Sequence, residues 1–377
     1  MTQGTMADWQ ALAVTVDELG PFRNGPETVW LLGLAEGGRK APSNLYMLLA
    51  RNGRGKTTIL EAIYGLFGLM NEPAVGRFVD PLFSGQAQVD IRVSIDTGSG
   101  PETVVLSIWN GSSTPLRTWK QDELTDIAQV RRQAFLAIGV AGERPAPIDG
   151  TDDLGLAFFR SVVAGRHTQP LGLWGSDQDL PTILYFPADR TIVAPADERV
   201  VEKPDNWGYQ PAQRFRADGP AWRDSIDNLL VWLEWLDDGR IGDLLDFLNA
   251  ELFPETPGKI IRRPTRQELL TYVSMPTGRH PLSQLSQGER AILQLLARTL
   301  CHMTRNTILL IDEVENHLHP KWMQRLIAAL KSMIRREGSN VTVIFTTHNV
   351  ELLTTFDHLT LEPGLIKGGM LIEEEMR

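Results

Sequence analysis

Leu45-Tyr46-Met47-Leu48-Leu49-Ala50-Arg51-Asn52-Gly53-Arg54-Gly55-Lys56-Thr57-Thr58-Ile59-Leu60 is the stretch on which the reading of this chain turns. Its apolar start, Leu45 to Leu49, predicts a short buried strand. From Thr58 to Leu69 the apolar residues Ile59, Leu60, Ile63, Leu66 and Phe67 share a face at helical spacing. Between them lies a turn with two glycines. Strand, glycine turn and helix in that order make an anion cradle, because N–H groups at a helix N-terminus point outward and carry partial positive charge. Gly53 and Gly55 let the backbone pass close to phosphates. Lys56 is placed to reach β- and γ-phosphates, and the Thr57 hydroxyl is a ligand for Mg²⁺. Asn52, Arg54 and Thr58 complete the loop. Ala50 stands where the full pattern has its first glycine, which a small residue with negative φ tolerates.

Working outward, Ala11–Val16 and Val29–Leu34 read as strands. Val89–Ile95 and Val104–Trp109 read as a hairpin joined through Gly98-Ser99-Gly100-Pro101. The segment Asp122–Ile138 is expected to be helical, and Gly139–Thr182 shows few periodic signals. Ile183–Phe186 is a short strand running into Pro187-Ala188-Asp189-Arg190. Ala221–Phe253 is amphipathic, with a break near Gly239 and Gly242. Towards the end come a helix (Ser286–Leu300), a strand (Thr307–Ile311), a helix (Pro320–Arg335) and a strand (Val341–Phe345). The alternation at both ends predicts an α/β core with parallel strands.

Composition narrows the function classes. The 377 residues are 42% hydrophobic and 22% charged, with no apolar run long enough to span a membrane. Residues 1–19 lack the basic, apolar and small-residue succession of a signal peptide, and Cys301, the single cysteine, has no partner for an internal disulfide. A cytoplasmic protein is expected. The net charge of −10 opposes a basic coat, yet 259–298 carries seven bases against two acids. Within that strip Arg262, Arg263 and Arg266 are the candidate contacts for DNA or RNA.

Three more motifs bear on chemistry. Ile308-Leu309-Leu310-Ile311-Asp312-Glu313 is an apolar run ending in two acids. Ligands gather at the carboxyl ends of parallel strands, and acids there call for a cation. Asp312 is the expected Mg²⁺ ligand and Glu313 the residue that polarises the attacking water. Leu285-Ser286-Gln287-Gly288-Glu289 heads a helix, with Ser286 and Glu289 spaced as a capping box. Val343-Ile344-Phe345-Thr346-Thr347-His348 is a buried strand ending in a histidine able to hydrogen-bond a γ-phosphate.

Taken in order, these four segments resemble the Walker A, signature, Walker B and switch-histidine motifs of ABC-type ATPases. The run Asp312-Glu313-Val314-Glu315-Asn316-His317-Leu318-His319-Pro320 resembles the D-loop region of the soluble SMC/RecF/OLD-like branch, AAA ATPases of DNA repair and anti-phage defence. The resemblance covers about 11–70 and 280–355. It implies an ABC-type P-loop head with a mostly parallel central sheet, an antiparallel β subdomain and a helical insertion. The head is expected at 1–110 and 281–377. The insertion is expected at 111–280, largely helical, with a return strand near 183–190. ATP and Mg²⁺ would be held by Asn52, Gly53, Arg54, Gly55, Lys56, Thr57 and Thr58 of one head and Ser286, Gln287, Gly288 and Glu289 of another, in a homodimer or higher oligomer. Lys56, Glu313 and His348 would be catalytic. Gln86, Gln88, Asp189 and Arg190 are candidates for the glutamine-loop position beside Mg²⁺. The chain ends too soon after His348 for an appended nuclease, so an effector nuclease is expected as a separate protein. The competing readings are the nucleotide-binding subunit of a membrane transporter and a sensor that binds ATP without hydrolysing it.

Overall fold

The computed structural model describes residues 6–80, 84–96, 100–141, 144–166, 173, 179–189, 199–205, 207–216, 222–254, 256–316, 318–356 and 362–372. In chain order the first strands are β1 (Met6–Asp17), β2 (Glu27–Trp30), β3 (Leu32–Leu34), β4 (Lys40–Pro42) and β5 (Leu45–Ala50), followed by helix α1 (Lys56–Gly68). Next come β6 (Gln86–Asp96), β7 (Pro101–Asn110), the short α2 (Gln121–Glu123), β8 (Gln133–Ala141), β9 (Arg144–Pro147) and α3 (Asp153–Gly165). Then β10 (Pro181–Phe186), β11 (Ala212–Arg214), α4 (Ile226–Leu236) and α5 (Arg240–Leu252) precede β12 (Ile260–Ile261), β13 (Tyr272–Met275) and β14 (Gly278–Pro281). The last part holds α6 (Gln287–His302), β15 (Asn306–Ile311), α7 (Pro320–Ile334), β16 (Thr342–Thr347), α8 (Leu352–Thr355) and β17 (Lys367–Ile372).

The strands form a six-stranded sheet, β2-β1-β6-β7-β8-β9, an eight-stranded sheet, β11-β10-β15-β16-β5-β17-β3-β4, and a small ribbon, β12-β13-β14. The six-stranded sheet is antiparallel except at β7–β8. In the larger sheet the six strands from β11 to β17 are mutually parallel, and β3 and β4 add an antiparallel edge. This is the mixed α/β class expected, with a mostly parallel central sheet and a largely antiparallel second one.

A parallel strand is buried on both faces, so it reads as an unbroken apolar run. On β15, Ile308 and Leu310 join the core shared with α1 and the six-stranded sheet. The alternating Leu309 and Ile311 join the core packed by α4, α5, α6 and α7. Three layers result: the antiparallel sheet with α1, the parallel sheet, and the helices.

Two expectations fail. The helix expected over 122–138 stops early: helical turns end at Ala128, Gln129 turns left-handed at φ 56°, and Gln133–Ala141 is strand β8. Its apolar residues mimic a helical face because Ala134, Leu136 and Ile138 point into the core from a strand with further apolar residues opposite. The run Val29–Leu34 is two strands, β2 in one sheet and β3 in the other. The segment 111–280 supplies strands to both large sheets as well as helices α3, α4 and α5.

Candidate nucleotide site

The carboxyl ends of β5, β10, β15 and β16 lie side by side, and each runs into one of the motif loops. After β5, Gly53 (φ 80°) and Gly55 (φ 93°) adopt left-handed backbone, and Gly55 is the N-cap of α1. A Cβ at Gly55 would strike the Phe22 ring as well as strain the backbone, so two constraints require glycine there. Lys56 is buried, and its Nζ donates to the Ala50 carbonyl (2.5 Å) and the Arg51 carbonyl (3.1 Å). The ammonium thus lies across the loop. Burial pulls its pKa below the ordinary range, opposed by the facing carboxylates of Glu313, Glu315 and Asp312.

Thr57 is the next link. Its Oγ1 donates to Asp312 Oδ2 at 2.8 Å, joining the phosphate loop to the end of β15. The other Asp312 oxygen, Oδ1, accepts from Thr346 Oγ1 at 2.6 Å, and Asp312 N–H donates to the Phe186 carbonyl of β10. That Thr346 hydroxyl also accepts the Glu313 N–H at 2.8 Å. Glu313 has φ 45°, a conformation a non-glycine residue rarely adopts. One threonine of β16 therefore fixes both acids of the motif, a role the sequence does not advertise. The signal available was a pair of threonines, Thr346 and Thr347, closing a buried strand just ahead of His348.

The adjoining turn grips its neighbours. Asn316 Nδ2 donates to the Ala188 carbonyl at 2.9 Å, which ties the turn after β10 to this edge. His348 donates its backbone N–H to Glu315 Oε1 at 2.7 Å, and its Nδ1 lies 2.9 Å from the same oxygen. Glu315 is a second residue whose contacts the sequence does not reveal. Asp189 is exposed at the same edge, while Arg190 and His317 lie outside the described residues. His319 caps α7, its Nδ1 accepting from Lys321 N–H.

Ser286 caps α6 through a reciprocal capping box. Its Oγ accepts from Glu289 N–H, and its own N–H donates to Glu289 Oε2. Ser286 and Gln287 are exposed, Gly288 and Glu289 buried, and Lys259 holds Glu289 Oε1 at 2.6 Å. Among the described residues these side chains bond to one another and to Lys259, and not to the loop at 50–58. Gln88 is not brought to the phosphate loop either. It is fully buried within the antiparallel sheet, where its amide binds Asp90, the Arg117 carbonyl and the Arg117 N–H. Gln86 opens β6 opposite Asp17. Arg262, Arg263 and Arg266 are exposed together by the small ribbon, with Arg263 3.4 Å from Glu234 and Arg262 bonded to Ser274.

Oxygen donors from Thr57 and Asp312 beside a phosphate cradle suit Mg²⁺, which takes one or two protein oxygens and completes its shell with phosphate and water. The described residues contain no group of three His, Cys, Asp or Glu able to hold a metal by themselves. Among them no helix is long and apolar enough to cross a membrane.

Residues 184–354 match the family described as "AAA domain, putative AbiEii toxin, Type IV TA system". The "Retron Ec83 probable ATPase" of Escherichia coli is 37% identical over 97 residues, 23% of this chain and 17% of that protein. The "Retron Vc95 probable ATPase" of Vibrio cholerae is 35% identical over 82 residues, 19% of this chain and 15% of that protein. The chain thus covers less than a fifth of either relative. An ATP-bound bacterial Atm1-family ABC exporter aligns over 94% of this chain and 37% of its own, at 14% identity and a TM-score of 0.32. A dimeric bacterial ABC transporter cassette aligns over 92% of this chain and 90% of its own, at 13% identity and a TM-score of 0.31. Scores that low transfer no geometry. Over the matched segments, the family match and the retron relatives support a P-loop ATPase fold of the ABC/AAA kind.

Proposed function

We propose that this chain binds and hydrolyses ATP, and that ATP joins two copies head to tail. The observation that carries the reading is the 2.8 Å bond from Thr57 to Asp312, which unites the phosphate loop with the acidic strand end across most of the sequence. Backbone N–H groups of 52–57 and Lys56 would hold the phosphates. Thr57 and Asp312 would hold Mg²⁺, which would supply neutralisation of phosphate charge. Glu313, presented by its left-handed backbone, would orient and polarise the attacking water. His348 would attend the γ-phosphate end of the site.

Exposure of Ser286 and Gln287 at a helix N-terminus favours an intermolecular role for them. The facing copy would close over the nucleotide with this surface. The setting we favour is anti-phage defence, with a separate effector protein, because both relatives are named as retron ATPases. Nucleic acid would meet the exposed Arg262, Arg263 and Arg266.

Light scattering and phosphate release test the core of the proposal. Wild-type protein should release phosphate from ATP–Mg²⁺. The Glu313→Gln protein should stop turning over and double in mass when ATP–Mg²⁺ is added. Absence of phosphate release by the wild type rules out hydrolysis, and an unchanged mass in Glu313→Gln rules out ATP-driven pairing.

A further inference from the structure

The turn after β15 carries a carboxylate to which the resemblance assigns no role. Glu315 is three residues past Asp312, and its side chain is only 9% exposed. Its Oε1 takes two contacts from one residue: the His348 backbone N–H at 2.7 Å and the His348 ring Nδ1 at 2.9 Å. Oε2 is buried without a hydrogen-bond partner among the described residues. A buried acid with a spare oxygen is a cost to the fold, so its contacts deserve a functional account. The ring it holds is otherwise poorly supported, since the His348 side chain is half exposed.

We infer that Glu315 is a positioning residue for His348, a reading that rests on the ATP hydrolysis proposed above. An ionised carboxylate accepts hydrogen bonds and has none to give. At 2.9 Å a hydrogen on Nδ1 meets an ionised carboxylate favourably and a lone pair there would oppose it, so the contact favours hydrogen on Nδ1 and leaves Nε2 as the ring nitrogen available to the reacting site. Gripping the main chain and the ring through one oxygen fixes the backbone and side-chain angle of His348 together. In the neutral ring Nε2 is an acceptor, suited to a hydrogen of the attacking water. Only a ring protonated on both nitrogens would donate to the γ-phosphate. Glu313 keeps its own place, since its N–H is held by Thr346 and not by this pair.

Nitrogen NMR of the full-length protein labelled in histidine reads the tautomer directly, with His348→Gln identifying the signal. The wild type should show hydrogen on Nδ1. Glu315→Ala should lose that lock and move toward the Nε2–H form. In ATP turnover, Glu315→Ala should lower kcat by about 10–100-fold, by analogy with the loss seen when the partner that orients a metal-bound histidine is removed. KM for ATP should stay within about twofold of wild type, and Glu315→Gln, which keeps an acceptor oxygen, should recover most of kcat. An unchanged tautomer in Glu315→Ala, or an unchanged kcat, overturns the inference. If that variant fails to fold, Glu315→Asp takes its place: the charge remains on a shorter arm, and a wild-type ring spectrum would again overturn the inference. A wild type that binds ATP without turnover would defeat the proposed function instead, and the ring spectrum would still decide the pairing.

Discussion

Thr346→Val isolates the hinge of the acidic motif. The threonine is completely buried, and valine keeps its shape while deleting the hydroxyl. Two bonds vanish: the donation to Asp312 Oδ1 at 2.6 Å and the acceptance from Glu313 N–H at 2.8 Å. A hydrogen bond to a charged group contributes about 1.5–3 kcal/mol, and leaving a buried N–H unpaired costs about 1–3 kcal/mol. The added methyl returns about 0.8 kcal/mol, so the net loss should be about 2–5 kcal/mol. The strand should survive, because the Thr346 carbonyl still accepts Val314 N–H at 3.0 Å. Activity should suffer through Glu313, whose φ of 45° costs about 1–3 kcal/mol and persists only while its surroundings hold it. We expect turnover to fall about tenfold or more, one decade for each 1.4 kcal/mol, with ATP affinity nearly unchanged. Urea unfolding read by circular dichroism gives the stability change, and phosphate release gives the turnover. A stability loss below about 0.5 kcal/mol, the scatter of a neutral substitution, together with wild-type turnover would refute the idea that Thr346 organises both acids.

Other residues give separate tests. Lys56→Met would remove the proposed charge-assisted contact to phosphate, worth about 1.5–3 kcal/mol, so ATP affinity should drop about ten- to hundredfold; titration with a fluorescent ATP analogue checks this, and equal affinity would remove Lys56 from the site. Gly155→Ala puts a Cβ against the Phe135 carbonyl where α3 meets β8, and should destabilise the fold by about 1–3 kcal/mol or more as overpacking does; an unchanged urea midpoint would contradict that contact. Lys331 and Lys367 pull the Glu362 carboxyl from its ordinary 4.5 down to about 2. A folded-state value below the unfolded one means stability that is full above about pH 4.5 and fades as pH falls toward 2. Wild type and Glu362→Gln should therefore differ in urea midpoint above pH 5 and converge in acid, and a gap that persists at pH 2 would show that the carboxylate charge is not its source.

The phosphate loop was legible because everything it needs is consecutive: a strand, two left-handed glycines, a lysine and a threonine opening a helix. Asp312 and Glu313 were legible for the same reason, as acids placed where a buried strand must end. The helix α3 also had a local signature, an Asp152 N-cap with Leu154, Phe158 and Val162 one turn apart, but a background of glycine, proline and aspartate masked it. Strand β8 was illegible on periodicity alone, since apolar residues on both faces satisfy a helical pattern as readily as a strand.

What binds the motifs to one another is of a different kind. Thr346 touches Asp312 and Glu313, Glu315 touches His348, and Asn316 touches Ala188 only because β10, β15 and β16 are neighbours in the sheet. That neighbour order follows from pairing between segments far apart in the chain, and no local propensity encodes it. The residues most easily read in this sequence are therefore those expected to touch ATP. Those that hold them at working angles are ordinary threonine, glutamate and asparagine side chains, identifiable only once the strands stand side by side. Both positioning contacts, Thr346 on the acids and Glu315 on the histidine, converge on the turn that follows Asp312. A perturbation of that turn should accordingly reach Glu313, the acid proposed to polarise water, and His348 together while leaving the loop at 50–58 intact, which makes loss of turnover with retained ATP binding its distinguishing signature.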